Sequence, residues 1–312
     1  MKRLLTILFS AVLCASVGAQ VKNYIFVSGQ VGEASYQYKI EDVASHISGG
    51  FGAGIHAGYE MRVGAFLLDL GFGFNITHSI VNVGTKQDTL PDMTDDDPIS
   101  GGDMFDYVYN QNHRHDSYTN LSVQVPVMIG AAAKHFYFLA GAKLDMSLVA
   151  VSSAEALVSS EMQYHDLPSP APVMPNHGAF TDYLVSQKPA SVQFKPQVMA
   201  SAEIGYRFVE TASGSGWDVP KEKNYWRVAL FVDYGILNMH KKGNNDDISL
   251  PQTYSTGEMQ NITINHIFST KAAAESKVNN LMVGIKATYL FQLPEKRGCV
   301  ICRDAYRGHV SH

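Results

Sequence analysis

The chain has 312 residues, of which 46% are hydrophobic and 17% charged, with 24 Lys and Arg against 29 Asp and Glu. The net charge of −5 argues against a nucleic-acid partner, because such partners are bound by clustered basic residues. Three cysteines are too few for a secreted scaffold held together by disulfides.

The N-terminal segment has the layout of a secretory signal peptide. Lys2 and Arg3 precede a short apolar run, and Val17 and Ala19 occupy the small-residue positions of a signal-peptidase site. We therefore predict that residues 1–19 are a cleaved signal peptide. No later stretch approaches the ~20 consecutive apolar residues of a membrane helix, so any membrane crossing must use strands.

Eight later segments alternate apolar and polar residues, which predicts strands with one apolar face. Each is about 10 residues or longer, enough for a tilted strand to cross the hydrocarbon of a bilayer. In chain order they are Tyr24–Tyr38, Phe51–Met61, Phe66–Ile76, Thr119–Ile129, Phe136–Leu148, Val192–Phe208, Trp226–Ile236 and Leu281–Phe291.

The links between these segments alternate in length. Short links fall at 62–65 and 134–135, whereas long links cover 80–117, 151–191 and 241–275. Short turns on one side and long loops on the other are typical of outer-membrane barrels, with both termini in the periplasm. We predict an all-β fold for the region after the signal peptide: an eight-stranded antiparallel up-and-down transmembrane β-barrel with long extracellular loops.

A soluble β-sandwich or lipocalin-like barrel is the alternative for such strands. It would place its apolar residues inside, whereas here the uniform face of all eight segments is apolar and the other face carries the charges. The barrel is predicted to occupy residues 20–293, in the outer membrane.

The inward faces carry acidic and basic side chains in nearly equal number. An eight-stranded barrel is just wide enough for side chains to fill, and buried charges must be paired. We expect a salt-bridge network that fills the lumen; a selective pore lined by the same charges is the alternative. The residues are Glu60, Arg62, Asp69, Lys143, Asp145, Lys195, Glu203, Arg207, Arg227, Asp233 and Lys286.

The first long loop carries a group of aspartates that could hold a divalent cation or bridge lipopolysaccharide through one. Asp95, Asp96 and Asp97 are the weak metal candidates, with Asp92, Asp103 and Asp106 nearby. Their spacing matches no EF-hand, and a solvated surface loop is the simpler interpretation.

Two arrangements invite an enzymatic interpretation. His113 and His115 with Asp116 could activate water, as in a surface protease, and Ser79 beside His78 is the nearest match to the Ser–His arrangement of lipid A-modifying barrels. No second carboxylate pair can be placed for the first arrangement, and the second is no better than a chance match, so we predict no catalytic residues and no cofactor.

The C-terminal tail, 294–312, is predicted to lie in the periplasm outside the barrel, since Pro294 cannot donate to a strand ladder. Cys299 and Cys302 are the disulfide candidates. Free or partner-linked thiols are one alternative, and a metal site completed by His309 and His312 is another.

Three segments carry a family resemblance. Asn120-Leu-Ser-Val-Gln-Val-Pro-Val-Met-Ile-Gly130, followed by Phe136-Tyr-Phe-Leu-Ala-Gly-Ala-Lys-Leu144, resembles the core of the PorT-like, porin-family outer-membrane β-barrel proteins of the Bacteroidota. Phe231-Val-Asp-Tyr-Gly-Ile-Leu-Asn238 resembles the seventh strand of that family. Two features depart from the family. Gln124 stands where the family usually has an acidic residue, and the chain has a tail after Leu293 whereas many relatives end at the last strand. The resemblance implies an envelope barrel, in some members part of a secretion or surface-assembly machine, and it transfers no functional residue.

These patterns together predict a non-enzymatic outer-membrane barrel that is a structural, binding or assembly component of the cell envelope. Its expected partners are outer-membrane lipid, lipopolysaccharide and other envelope proteins. A narrow porin or transport subunit is the first alternative, and a lipid- or peptide-modifying membrane enzyme is the second.

Overall fold

The computed structural model describes residues 21–39, 45–94, 104–165, 180–209, 224–243, 245, 248–249, 263–273 and 276–294. The predicted signal peptide and nearly all of the predicted tail lie outside these ranges, as do Asp95, Asp96, Asp97, Cys299 and Cys302.

The described part of the chain is almost entirely strand. Its elements are β1 (Val21–Lys39), β2 (Ser45–Val63), β3 (Phe66–Val83), β4 (Lys86–Thr94), β5 (Met104–Ala133), β6 (Phe136–Tyr164), β7 (Phe180–Val192), β8 (Gln197–Phe208), β9 (Tyr225–Gly235), β10 (Ile248–Ser249), β11 (Thr263–Ile264) and β12 (Lys277–Gln292), with 3-10 helices at Ile267–Ser269 and Lys271–Ala273. Among the described residues, no helix has the length and apolar character needed to cross a membrane.

Eight strands close into a ring. Each strand of the ring pairs antiparallel with the next, in the order β1-β2-β3-β5-β6-β8-β9-β12. The last strand, β12, pairs with β1 and completes the ring. The predicted eight-stranded antiparallel up-and-down barrel is confirmed. The first and last strands meet with Tyr24 opposite Gln292, so the start of β1 and the end of β12 lie at the end of the barrel that carries the short turns at 64–65 and 134–135.

The alternation read from the sequence sets the two faces of the wall. Along β9, Trp226, Val228 and Leu230 are exposed on the outside, whereas the residues between them are buried inside. Apolar side chains are likewise exposed over the outer face of the other seven strands. An apolar belt around the whole barrel is the surface expected of a protein surrounded by lipid.

Aromatic side chains border this belt at the short-turn end. Tyr206 contacts Phe136 and Phe208 edge to face, at ring-centroid distances of 5.5 and 5.0 Å. A second group, formed by Trp226, Tyr289 and Phe291, lies on β9 and β12. Aromatic girdles of this kind mark the boundary between hydrocarbon and headgroups.

The seam where β1 meets β12 depends on two glycines. Gly32 lies opposite Gly284, and a Cβ on Gly32 would lie only 2.2 Å from the Val283 carbonyl oxygen. A larger residue at either position would push the first and last strands apart at the point where the barrel closes.

The regions predicted as the first two long loops are largely strand. β5 and β6, 30 and 29 residues long, continue beyond the ring and pair with each other almost throughout. β4 and β7 pair with their outer halves, giving a four-stranded sheet in the order β4-β5-β6-β7. The third long link differs, since its residues 263–273 fold back onto the barrel mouth.

Candidate functional site

The candidate site is the barrel interior, which holds three layers of buried side chains. The layer nearest the short turns is organised around Arg227. Its guanidinium donates to Glu60 Oε2 at 2.5 Å and to Asp69 Oδ2 at 2.8 Å, and it lies 4.8 Å from the centre of the Tyr137 ring. Glu60 and Asp69 face each other on β2 and β3, so one guanidinium bridges two adjacent carboxylates.

Aromatic side chains close the same layer toward the short-turn end. Tyr24, Phe26, Tyr225 and Leu290 form a buried cluster, and the Tyr225 hydroxyl donates to Glu60 Oε1 at 3.1 Å. The Arg207 guanidinium lies 5.2 Å from the centre of the Tyr225 ring. All four members of the cluster are at most 3% exposed.

The middle layer holds two ion pairs that join strands across the lumen. Lys286 Nζ lies 2.5 Å from Glu203 Oε1, and Lys143 Nζ lies 2.7 Å from Asp233 Oδ2. Ser201 donates to the other Asp233 oxygen at 2.6 Å. Removal of a buried charge from such a pair leaves its partner without compensation in a region of low dielectric.

Asp145 extends this layer through hydrogen bonds with uncharged side chains. Ser122 donates to its Oδ1 at 2.7 Å and Gln124 donates at 3.0 Å, and Gln124 Oε1 lies 3.1 Å from His56 Nε2. The Gln124 amide therefore occupies the centre of a polar network.

Nine of the eleven residues predicted for the lumen lie buried inside it: Glu60, Asp69, Lys143, Asp145, Glu203, Arg207, Arg227, Asp233 and Lys286. Arg62 lies on the inner face at the rim, where its Nε donates to the Gly64 carbonyl at 3.1 Å. Lys195 is placed elsewhere. The predicted segment Val192–Phe208 is interrupted at 193–196, and Lys195 is exposed in that interruption rather than inside the barrel.

The outer layer is formed by the returning segment 263–273, which we call the mouth loop. Phe268 is only 2% exposed, and its ring lies 4.8 Å from that of Tyr118 and 5.4 Å from that of Tyr38. Tyr36, Met239 and Ile267 belong to the same buried cluster. The sequence analysis did not find this layer, because no alternation marks the loop.

A buried ion pair anchors the mouth loop. Arg114 and Asp116 are both 0% exposed, with Nε and Oδ1 2.9 Å apart. Asp116 Oδ2 accepts the backbone N–H of Ile267 at 2.5 Å, and Arg114 also donates to the Asn265 carbonyl. The pair on β5 therefore satisfies backbone groups of the loop that would otherwise be buried without partners.

His266, on the same loop, is 7% exposed and lies edge-on to Tyr118. Burial lowers the pKa of His266 to about 4, with the charge of Asp116 opposing this shift and those of Arg114 and His240 adding to it. The imidazole is therefore neutral at neutral pH.

The structure separates the residues considered for catalysis. His113 and His115 are exposed, and His115 Nδ1 lies 2.5 Å from Asn82 Oδ1, whereas Asp116 points inward to Arg114. Ser79 is buried inside, but the neighbouring His78 faces outward and bonds Thr119 Oγ1 at 2.9 Å. Adjacent strand residues point to opposite faces, so neither arrangement brings its members together.

The candidate metal ligands Asp95, Asp96 and Asp97 lie outside the described residues. Asp106 is described and lies 2.8 Å from His165 Nε2 on the outer hairpin. Within the described ranges, no cluster of three or more His, Cys, Asp and Glu side chains could hold a metal ion.

Comparisons with known proteins add little to this description. No protein-family model matches the chain, and no curated protein matches it. Among solved structures, the chain is similar to Neisserial surface protein A, with 10% identity, coverage of 85% of this chain and 95% of the other, and a TM-score of 0.25. The fold assignment therefore stands on the strand pairing itself.

Proposed function

We propose that this protein is a non-conducting, non-enzymatic barrel of a Gram-negative-type outer membrane, acting as a structural, binding or assembly component of the cell envelope. The observation that carries the proposal is the presence of three successive layers of buried, mutually contacting side chains in the lumen. The first layer is the Arg227 cluster, and the second is formed by the ion pairs of Lys143 and Lys286 with carboxylates. The third is the mouth loop with Phe268.

Each layer opposes permeation for a different physical reason. A passing ion would have to break buried ion pairs whose members cannot be rehydrated in the filled cross-section. It would then meet the mouth cluster, where the buried Phe268 ring packs against Tyr36, Tyr38 and Tyr118. Opening one layer alone would leave the other two in place.

The proposed setting follows from the outer surface and from the sequence. The exposed apolar belt requires lipid around the barrel, and the predicted signal peptide requires export. In this proposal the short turns and both ends of the chain face the periplasm, and the four-stranded sheet and mouth loop face outward. The proposed partners are outer-membrane lipid, lipopolysaccharide and other envelope proteins.

The resemblance to the PorT-like barrels of the Bacteroidota supports an assembly role within this proposal. It rests on the strand motifs around Pro126 and on Phe231–Asn238. Pro126 and Phe231 face inward on β5 and β9, whereas their neighbours Val125, Val127 and Val232 are exposed on the outer wall, so these motifs contribute to both faces of the barrel.

Conductance in planar bilayers tests the proposal. The purified full chain should give no stepwise openings in concentrated potassium chloride, whereas a general porin reconstituted in parallel should. Uniform openings whose ion selectivity changes in Lys143→Met would contradict the proposal and establish the narrow porin. Lys188→Met, a matched change at an exposed position of β7, controls for effects outside the lumen.

A further inference from the structure

An open groove of about 590 Å³ crosses the outer wall of the barrel. Its lining belongs to β12, β1, β2 and β3, with Leu121 of β5 at one edge. Its volume lies within the roughly 300–1,000 Å³ range of ligand pockets. The groove is part of the apolar belt, so the lipid that surrounds the barrel has direct access to it.

A glycine leaves the groove open at its centre. Gly29 faces outward between Ala287 on β12 and Ile55 on β2. A Cβ built on Gly29 would have no heavy atom within 4 Å, so the space above this residue is empty of protein. Ile55, Phe74 and Ile285 also line the groove, and all three are exposed on the outer wall. The wall therefore has a depression bordered by large apolar side chains.

The surface that the groove presents to lipid is apolar. Gln30 and Asn75 contribute to the lining, but their side chains are buried in the lumen, where Gln30 Nε2 donates to Asn75 Oδ1 at 3.3 Å. None of the described lining residues is charged. Bulk lipid is as apolar as this wall, so selection of one chain depends on packing. A chain lying in a depression has contacts on more sides than a chain on a smooth wall.

Polar side chains begin on the outer face where the groove ends. On β3, His78 follows Ile76, and on β5, Thr119 precedes Leu121. His78 Nδ1 lies 2.9 Å from Thr119 Oγ1, and the Phe51 ring lies 5.9 Å from the imidazole. The imidazole is therefore held at the end of an apolar groove, where it can donate to an ester or phosphate oxygen of a lipid.

A carboxylate lies at the same boundary on β1. Glu33 follows Val31 on the outer face and is exposed. It is paired with Phe51 on β2, which is paired in turn with His78 on β3. A carboxylate attracts an ammonium group and repels phosphate. This charge favours a headgroup with an amine over the multiply phosphorylated headgroup of lipopolysaccharide.

From these features we propose that the groove binds one phospholipid with an amine-bearing headgroup, its acyl chain over Gly29 and its headgroup at Glu33 and His78. On β2 and β3 the groove lies beyond Tyr59 and Leu70, away from the short turn at 64–65. Its assignment to the outer leaflet rests on the orientation proposed above. The site itself does not depend on a closed lumen, because its surface is formed by the outer wall.

Native mass spectrometry of the purified full chain tests the site, with phosphatidylethanolamine and phosphatidylglycerol of identical chains added in a neutral detergent. One phosphatidylethanolamine should be retained per barrel, at a lower lipid concentration than phosphatidylglycerol requires. Gly29→Leu, which fills the open space, should weaken retention of both lipids at least tenfold. Ala200→Leu, a similar enlargement at an exposed position on the outer face of β8, should leave it unaltered. Glu33→Gln should keep the bound lipid but lose the preference for phosphatidylethanolamine.

The proposal is overturned if neither lipid is retained, or if Gly29→Leu, shown to be folded by heat-modifiable migration on gels, retains phosphatidylethanolamine as tightly as the parent. Tighter retention of lipopolysaccharide than of phosphatidylethanolamine would also overturn it. So would a dimer that Gly29→Leu dissociates, since the groove would then belong to an interface with a second copy of the chain. Conductance does not enter these outcomes, so a failure of this proposal is distinguishable from a failure of the closed-lumen proposal.

Discussion

Replacing Arg227 with methionine should be among the most damaging single changes in the barrel. The substitution keeps an unbranched side chain but removes the cation that lies between Glu60 and Asp69, which occupy paired positions on neighbouring strands. Arg227 and Glu60 are 0% exposed, so solvent cannot take over its role. Breaking a buried ion pair typically costs about 3–5 kcal/mol, and here two carboxylates lose their partner.

The free energy of unfolding, measured by urea titration in liposomes, should therefore fall by at least about 3 kcal/mol in Arg227→Met. Arg62→Met, at the rim near the same end of the barrel, should cost no more than about 1 kcal/mol. A triple variant that adds Glu60→Gln and Asp69→Asn should recover at least half of the loss, because it removes the stranded charges. A loss below about 1 kcal/mol in Arg227→Met, or no recovery in the triple variant, would refute a tightly packed, dry lumen.

Three further predictions concern the outer wall, the mouth and the tail. Val283→Lys places a charge on the lipid-facing side, where Val283 is 49% exposed, and should cost about 2–4 kcal/mol in the same titration, whereas Val283→Leu should be nearly neutral. Because the pKa of His266 is lowered to about 4 while an undocked histidine titrates near 6.5, docking of residues 263–273 should weaken as pH falls from about 6.5 to 4. Hydrogen exchange of this segment, corrected for intrinsic rates, should show the weakening, and pH-independent protection would count against it. A membrane-impermeant thiol reagent should label Cys299 and Cys302 only after the outer membrane is permeabilised and the disulfide reduced; labelling of intact cells would place the tail outside.

The strands of the barrel wall can be predicted from the sequence because the outer face of the wall contacts lipid, whereas the inner face contacts the other charged and polar side chains of the lumen. Lipid accepts only apolar side chains, so β9 alternates from Trp226 to Tyr234 and the inward positions are left for Arg227 and Asp233. Of the eleven charged residues selected on this basis, nine are buried inside the barrel. The alternation does not identify their partners, since Lys286 and Glu203 lie 83 residues apart and meet only through the curvature of the closed sheet.

The docking of the mouth loop could not be predicted from the sequence, for a physical reason. Residues 263–273 dock through one backbone N–H at Asp116 and one aromatic ring at Phe268, and neither contact imposes a periodic pattern on the chain. Lys195 was misplaced because the alternation of its neighbours continues through Pro196, whereas the strand itself begins only at Gln197. Sequence alternation alone does not show where a wall strand ends and a connecting segment begins.

The most direct test of a lipid-surrounded barrel with a closed lumen is cysteine accessibility in liposomes, with Cys299 and Cys302, the two cysteines that follow the predicted signal peptide, replaced by serine. Ser28→Cys and Ser122→Cys place small thiols inside the barrel, where both serines are 2% exposed, Val232→Cys places one on the outer wall, and Ser191→Cys places one at the exposed mouth. A charged, water-soluble thiosulfonate should label only Ser191→Cys, and a lipid-soluble maleimide should label Val232→Cys as well. Labelling of Ser28→Cys and Ser122→Cys by the charged reagent, at rates near that of Ser191→Cys, would show a water-filled pore and contradict the closed lumen.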